Sequence, residues 1–267
     1  MKKYKIPNMK KILKPRWANK PGFGMSEKFV LHERKSFQQS TVPNDPKLLQ
    51  KLGIKKGDKI LAIAGYYASW ASELAKAGAK VDYSDISKSL VNWSKKKYGK
   101  LFRRYICSNY ELIPKKPKEY DWTFTFEACG GGSGLPIAYL RSLLNKKGGI
   151  LIYHLRYSTA KKKMGSKPKR YPLIVKTISK VYGSQYKIKE IKIRSHRFEK
   201  PTKMIFHRIH IIKTNKKARE LAKKDLDALS LNKFTKENLE RLTKFSKTIS
   251  NEYLKEKKHN LKLKKSL

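Results

Sequence analysis

The residues whose types and spacing could do chemistry are concentrated in the segment 59–87. An apolar run over 60–64 meets Gly65, a helix-like stretch follows over 67–76, and a second apolar run then leads to Asp85. Strand, glycine turn, helix, strand and acid is the unit that binds the adenosine half of a cofactor, with the acid placed to hydrogen-bond ribose hydroxyls. The segment therefore predicts a site for an adenosine-containing cofactor.

This spacing resembles that of the class I S-adenosylmethionine-dependent methyltransferases. When the two are aligned on the shared helix, the family's acid at the end of the first strand region becomes Ala62, and its three glycines become Ala64, Tyr66 and Ala68; Gly65 lies one place away. The resemblance implies S-adenosylmethionine as the cofactor. The cofactor-binding positions that it implies are Ala64, Gly65, Tyr66, Asp85, Ile86 and Asn109.

Three of these positions have an implied role. Asp85 stands at the place of the ribose-binding acid, Ile86 could pack on the adenine face, and Asn109 matches the position that contacts the adenine amino group. An alternative is that Asp85 only caps the helix that follows it, because Asp-x-Ser is also capping chemistry. Asp82 is the weaker acid, since it falls inside the strand.

The loss of glycine leaves two interpretations of the turn. A tyrosine at position 66 would cost ~1–2 kcal/mol if that position needs a positive φ. Tyr66 or Tyr67 could pack on the methionine part of the cofactor in a reshaped pocket, or could fill the pocket and abolish binding.

Alternation of strands and helices after this unit predicts an α/β fold with a doubly wound, mostly parallel sheet. The runs 186–193 and 203–212 flank Pro201 and predict an antiparallel hairpin, which is the ending that the class I methyltransferase fold implies. We expect a basic N-terminal arm over 1–45, a methyltransferase-like domain over 46–213 and a basic helical extension over 214–267.

Capping and glycine signals predict several helix boundaries. Ser87 and Thr235 are predicted as N-caps of the helices that follow them. Gly78 is expected to end the helix over 67–76, and Gly148 and Gly149 are expected to lie between a helix over 135–144 and a strand over 150–155.

Candidate catalytic residues follow the strand predicted over 122–126. Glu127 is the best candidate for orienting a substrate group or accepting its proton, with a purely structural role as the alternative. Cys129 is a candidate nucleophile, but a small buried residue under a glycine turn is the favoured interpretation. The stretch around them faintly resembles the DAPCSGTG segment of RNA 5-methylcytosine methyltransferases. Their attacking cysteine comes just past the fifth strand, where this chain reads YHLRYSTA, so Cys129 could serve only in a modified scheme.

The charge of the chain points to a polyanionic partner. Its 65 Lys and Arg residues against 20 Asp and Glu residues give a net charge of +45, and residues 1–40 and 156–200 are especially basic. A nucleic-acid binder with a catalytic core has this layout. RNA is favoured over a membrane surface because no lysine-rich stretch has the apolar face of an interfacial helix.

The segment 161–170 is where several methyltransferases of this class place a substrate-recognition loop. It would hold phosphates near the donor methyl group, unless it is simply a solvated loop. Its six basic residues are Lys161, Lys162, Lys163, Lys167, Lys169 and Arg170.

Cysteine, histidine and hydropathy set further limits. Cys107 and Cys129 are the only cysteines, which excludes a disulfide framework and a four-cysteine zinc site. His207 and His210 fall on opposite faces of a strand, so no metal is expected. No apolar run reaches ~20 residues, and a cytoplasmic protein is expected.

The sequence thus predicts an S-adenosylmethionine-dependent methyltransferase that acts on structured RNA, either ribosomal or transfer RNA. The alternative is a catalytically inactive methyltransferase-like protein that binds RNA or assists ribosome assembly.

Overall fold

The structure is a computed structural model, and it describes the greater part of the chain from residue 41 onward. The described residues are 41–63, 68–85, 87–107, 120–126, 137–154, 170–197, 200–231, 233–245 and 247. The calls at Ala64, Gly65, Tyr66, Ile86, Asn109, Glu127 and Cys129, and at the five lysines of the 161–170 segment, lie outside them.

Within the described residues, eight strands form one sheet. They are β1 (Thr41–Pro43), β2 (Lys59–Ile63), β3 (Lys80–Asp85), β4 (Arg104–Cys107), β5 (Trp122–Phe126), β6 (Gly148–His154), β7 (Gln185–Arg197) and β8 (Lys200–Lys213). The helices are α1 (Leu48–Leu52), α2 (Ser69–Lys76), α3 (Lys88–Tyr98), α4 (Ile137–Leu144), α5 (Arg170–Tyr182), α6 (Lys216–Leu231) and α7 (236–245), with a 3-10 turn at Gly99–Leu101.

The strand order is β1-β7-β8-β6-β5-β2-β3-β4. Strands β2 to β6 pair in parallel, whereas β8 is antiparallel to both β6 and β7. The expected mostly parallel sheet with an antiparallel hairpin at its end is therefore confirmed. The short strand β1, which lies within the stretch expected to form the arm, adds an antiparallel edge to β7.

Both faces of the sheet are covered, and strand β2 shows why its sequence is apolar throughout. Ile60 and Ala62 belong to a core beneath α1, α2 and α3, while Leu61 and Ile63 belong to a core shared with α4, α5, α6 and α7. Successive side chains of a strand face opposite sides, so a strand covered on both sides must be apolar at every position.

Helix starts follow the capping expectations. The Ser87 hydroxyl oxygen accepts a hydrogen bond from the Leu90 backbone N–H (3.3 Å) at the start of α3. Thr235 likewise accepts from the Asn238 N–H (3.3 Å) before α7. Both serve as N-caps, as predicted.

Gly148 and Gly149 differ from the sequence-based expectation, which placed them between a helix and the next strand. They are the first two residues of β6. Gly148 has a φ of +126°, and a Cβ there would overlap the Ile212 carbonyl oxygen of β8. The glycine is required because the two strand backbones approach closely at this position.

The helices after residue 214 share the core of the sheet. Leu242 and Phe245 of α7 are buried with Val175 of α5. At the same place the buried carboxylate of Asp225 accepts hydrogen bonds from the hydroxyl of Tyr182 (2.7 Å) and from Nε of Arg241 (3.0 Å). In the described part of the chain, no helix is long and apolar enough to cross a membrane.

Candidate cofactor site

The strand order reverses between β2 and β5, and this point locates the candidate site. In an open α/β sheet, ligands bind beyond the carboxyl ends of the strands at such a switch point. Strand β2 ends at Ile63, directly before the predicted glycine turn, and β5 ends at Phe126, directly before Glu127. The chain thus brings both predicted segments to the two strands that flank the switch point.

Asp85 is the predicted site residue whose surroundings the structure describes. It is the last residue of β3, the strand beside β2, and only 7% of its surface is exposed. Its Oδ1 accepts a hydrogen bond from the Ser87 N–H (2.9 Å). Because Ser87 itself caps α3, Asp85 is not the helix cap that the alternative interpretation required.

The Asp85 carboxylate also acts on its neighbours. Burial, followed by the charge of Asp85, raises the pKa of the Tyr83 hydroxyl. The same two causes raise the pKa of the Cys107 thiol, which lies on β4 opposite Asp85. Cys107 is therefore protonated at neutral pH and is not an activated nucleophile.

Ala68, aligned with the third glycine of the family pattern, keeps a glycine-like backbone. It precedes α2 with φ 56° and ψ 17°, which is the left-handed conformation. Among the described residues it is the one non-glycine residue with positive φ. Its side chain is fully buried. The turn into α2 thus has the conformation that favours glycine, although the residue is alanine.

Asp82, the weaker acid of the sequence analysis, has a structural role. It is fully buried and accepts hydrogen bonds from Nε of Arg103 (2.8 Å), Nε of Arg104 (2.8 Å) and the hydroxyl of Tyr120 (2.7 Å). Burial opposes ionisation, but the bonds from Arg103, Tyr120 and Arg104 outweigh it, so the pKa of Asp82 lies below its ordinary value. Its position within the strand indicated this role.

The residues present fit an adenosine-containing cofactor at the two places that the structure describes. A carboxylate accepts about four hydrogen bonds, so Asp85 can accept from ribose hydroxyls while it holds the Ser87 N–H. The backbone at Ala68 has the left-handed conformation that glycine adopts most readily, at a position where the family pattern has glycine. In the described residues no group of three or more His, Cys, Asp or Glu side chains could hold a metal ion.

Arg170 begins α5, and the other five basic residues of the predicted recognition loop precede it in the chain. The position of Asp85 at the end of β3 was predicted from its spacing. Ala68 was identified only as a lost glycine, and the alignment to the glycine pattern was the signal that marked its backbone as unusual.

Comparison with known proteins gives structural neighbours only. No profile of a known protein family matches the chain, and no curated protein matches its sequence. A SAM-dependent methyltransferase from Aquifex aeolicus is similar in structure, with a TM-score of 0.46 and 18% identity over 68% of this chain and 95% of that one.

Two further neighbours are similar. Magnesium protoporphyrin IX methyltransferase from Synechocystis, crystallised with bound SAM, has a TM-score of 0.42 and 16% identity over 76% of this chain and 88% of its own. A TehB-like SAM-dependent methyltransferase from Corynebacterium glutamicum has a TM-score of 0.43 and 15% identity, over 70% of this chain and 97% of its own. Since these scores lie below 0.5, the fold assignment rests on the strand order. By that order, with β8 antiparallel between β6 and β7, the chain has the class I methyltransferase fold.

Proposed function

We propose that this protein is an S-adenosylmethionine-dependent methyltransferase that acts on structured RNA, either ribosomal or transfer RNA. The observation that carries the proposal is Asp85: a buried carboxylate at the carboxyl end of the strand beside the switch point. A buried carboxylate is costly unless it is bonded. The Ser87 N–H is one of the donors to this carboxylate. Because a carboxylate accepts about four hydrogen bonds, Asp85 can also accept from ribose hydroxyls.

The cofactor would be held by residues at the ends of three strands, β2, β3 and β4. In this proposal Asp85 accepts from the ribose, Ile86 packs on the adenine, and Asn109 contacts the adenine amino group. The segment of Ala64, Gly65 and Tyr66 would contact the remaining part of the cofactor. When bound, S-adenosylmethionine supplies an electrophilic methyl group on a sulfonium centre.

The substrate would be oriented by residues that follow β5. Glu127 comes directly after the last residue of that strand, and Cys129 two positions later. In the proposal the Glu127 carboxylate orients the substrate group or accepts its proton. Since the methyl donor is already activated, holding the two reactants in line accounts for most of the rate increase.

The choice of RNA over a small molecule rests on charge. A net charge of +45 attracts a phosphate backbone and gives no advantage with a small neutral substrate. In the proposal Lys161, Lys162, Lys163, Lys167, Lys169 and Arg170 bind phosphates near the reacting groups.

The turn before α2 keeps the alternative function open to test. Ala68 places a methyl group where the family has glycine, in a backbone that favours glycine. A protein whose turn no longer admits the cofactor would bind RNA without methylating it. The two functions differ in one measurable property, which is affinity for S-adenosylmethionine.

The test is isothermal titration calorimetry of S-adenosylmethionine into protein freed of nucleic acid at high salt. We expect one-to-one binding, weakened at least about 10-fold in Asp85→Asn, because hydrogen bonds to a charged group contribute ~1.5–3 kcal/mol. The amide still has an oxygen to accept the Ser87 N–H. Glu220→Gln, on the exposed surface of α6, is the matched control for loss of one carboxylate.

Two outcomes would count against the enzyme. Absence of binding heat in wild-type protein that still binds RNA would support the inactive RNA-binding alternative. Equal affinity in wild type and Asp85→Asn would remove Asp85 from the site.

A further inference from the structure

Cationic side chains collect at the edge of the sheet that lies opposite the candidate cofactor site. This is the amino edge, where the parallel strands begin and where β8 ends. Six exposed residues there define what we call the amino-edge rim: Lys59, Lys80, Arg103, Arg104, Lys146 and Lys213.

The strand order arranges these residues in a row. Arg104 begins β4, Lys80 begins β3, Lys59 begins β2, Lys146 precedes β6, and Lys213 ends β8. These strands are consecutive in the sheet, apart from β5 between β2 and β6. At about 4.8 Å per strand, the row extends about 24 Å.

Backbone hydrogen bonds join the segments that carry the rim. The Lys59 carbonyl accepts from the Asp121 N–H (2.8 Å), and the Asp121 carbonyl accepts from the Lys147 N–H (2.9 Å). The Lys80 N–H donates to the Asp58 carbonyl (2.8 Å). These hydrogen bonds fix the backbone that carries the rim, so binding of a ligand there requires little loss of backbone conformational entropy.

The described carboxylates of this edge, Asp58, Asp82 and Asp121, are buried or accept hydrogen bonds from the backbone. Asp58, 7% exposed, binds Nζ of Lys147 (2.7 Å) and Nε1 of Trp122 (2.9 Å). Asp82 is buried beneath Arg103 and Arg104, and Asp121 accepts from the Lys59 N–H (2.9 Å). Among the described side chains of this edge, the cations are therefore more exposed than the carboxylates.

The rim also keeps like charges next to each other. Lys59 and Lys80 are paired residues of adjacent parallel strands. Among the described residues, neither forms an ion pair with a carboxylate. Like charges at directly paired strand positions destabilise a sheet. A bound polyanion would attract both lysines and offset the repulsion between them.

We propose that the amino-edge rim is a docking surface for the phosphate backbone of RNA. The choice of RNA rests on the proposed substrate class, but binding at the rim does not require S-adenosylmethionine. The strands separate the two edges of the sheet, so one folded RNA would contact the rim with a segment distant from the nucleotide at the cofactor edge. RNA fits a row of cations better than a membrane does, because interfacial binding uses an amphipathic helix with an apolar face.

The test compares two triple variants that remove the same charge. Lys59→Gln/Lys80→Gln/Lys146→Gln alters the rim, and Lys176→Gln/Lys223→Gln/Lys224→Gln alters exposed lysines of α5 and α6. Fluorescence anisotropy with labelled, unmodified transfer RNA measures Kd from 50 to 300 mM salt. We expect the rim variant to bind RNA at least about 10-fold more weakly than the control variant. Each phosphate contact contributes ~0.7–0.9 to the magnitude of the slope of log K against log salt, so the loss of three contacts should reduce that magnitude by about 2.

Further readouts separate the possible failures. Equal weakening in both variants would overturn the rim as a docking surface and leave only general attraction by net charge. Unchanged RNA affinity, with lost binding to vesicles that contain phosphatidylserine, would overturn RNA in favour of a membrane surface. Calorimetry with S-adenosylmethionine is expected to give the wild-type result in the rim variant, so failure of the cofactor site and failure of the rim are distinguishable.

Discussion

The left-handed backbone at Ala68 makes a prediction that joins stability to function. Replacement by glycine removes the clash of Cβ with the backbone, which costs an L-residue at positive φ ~1–2 kcal/mol of folding free energy. Against this, Ala68 is fully buried, and its methyl group contributes ~0.8 kcal/mol. Glycine also adds unfolded-state freedom that costs ~0.4–1 kcal/mol. We expect Ala68→Gly to change the free energy of unfolding by less than about 1 kcal/mol.

Ala71, three residues later, provides the matched control. It is 3% exposed and lies inside α2, where the backbone is right-handed helical. Ala71→Gly removes a buried methyl group, which costs ~0.8 kcal/mol of stability, and lowers the helix propensity, which costs a further ~1 kcal/mol. We therefore expect a destabilisation of about 2 kcal/mol. The difference between the two variants, ~1–2 kcal/mol, measures the strain at Ala68.

Urea denaturation followed by circular dichroism gives both free energies, and calorimetry gives the affinity for S-adenosylmethionine. Because Ala68 occupies a glycine position of the cofactor turn, we expect Ala68→Gly to bind the cofactor at least as tightly as the wild type. Destabilisation of Ala68→Gly and Ala71→Gly by the same 2 kcal/mol would refute the left-handed conformation. Tighter cofactor binding with no gain in relative stability would show that the methyl group, not the backbone, limits binding.

Two further predictions concern the sheet. Asp82→Asn should lower the free energy of unfolding at pH 7 by ~2–3 kcal/mol. This is less than the usual cost of removing one partner of a fully buried ion pair, because Arg103 and Arg104 are partly exposed to solvent. The pKa of Asp82 is depressed in the folded state, so its contribution is present above its ordinary value of 3.8 and is lost as pH falls through the lower folded value. The difference in unfolding free energy between the wild type and Asp82→Asn should therefore be smaller at pH 3 than at pH 7. The same difference at both pH values would mean that the variant loses packing and not a charge interaction. Gly148→Ala should lower the free energy of unfolding by more than ~3 kcal/mol, because φ is positive and the new Cβ would overlap the Ile212 carbonyl oxygen. The control is Gly183→Ala, which also has a positive φ but open space around its Cβ, and it should cost only ~1–2 kcal/mol in urea titrations. Equal costs in the two variants would contradict the close approach of the two strands.

The β2–α2–β3 unit could be predicted from sequence because its signals are local. The apolar run of β2, the glycine after α2 and the acid ending β3 each fix one boundary within a few residues. Ser87 and Thr235 were found as caps for the same reason. The position of Asp85 at the carboxyl edge followed directly, since the end of a parallel strand fixes the edge at which its last residue lies.

Features that depend on distant pairing could not be predicted. Strand β1 has three residues and exists because it pairs with β7, more than 150 positions later. Asp58 bonds Lys147 across 89 positions, and no local pattern marks either residue. Gly148 reads as a turn residue until the backbone of β8 is known to approach it.

The amino-edge rim shows where part of the excess positive charge of this protein collects on its surface. The chain has few acids, and several of them serve inside the fold: Asp58, Asp82 and Asp225 are each buried and each bond a cation from another element. A buried carboxylate stabilises the contact between elements and contributes less field at the surface than an exposed one. Lysines that are not paired with these acids then dominate the surface, and the sheet topology collects them at one edge. The acids that hold the sheet together thus also leave its amino edge positive, which is the property that RNA binding at the rim requires.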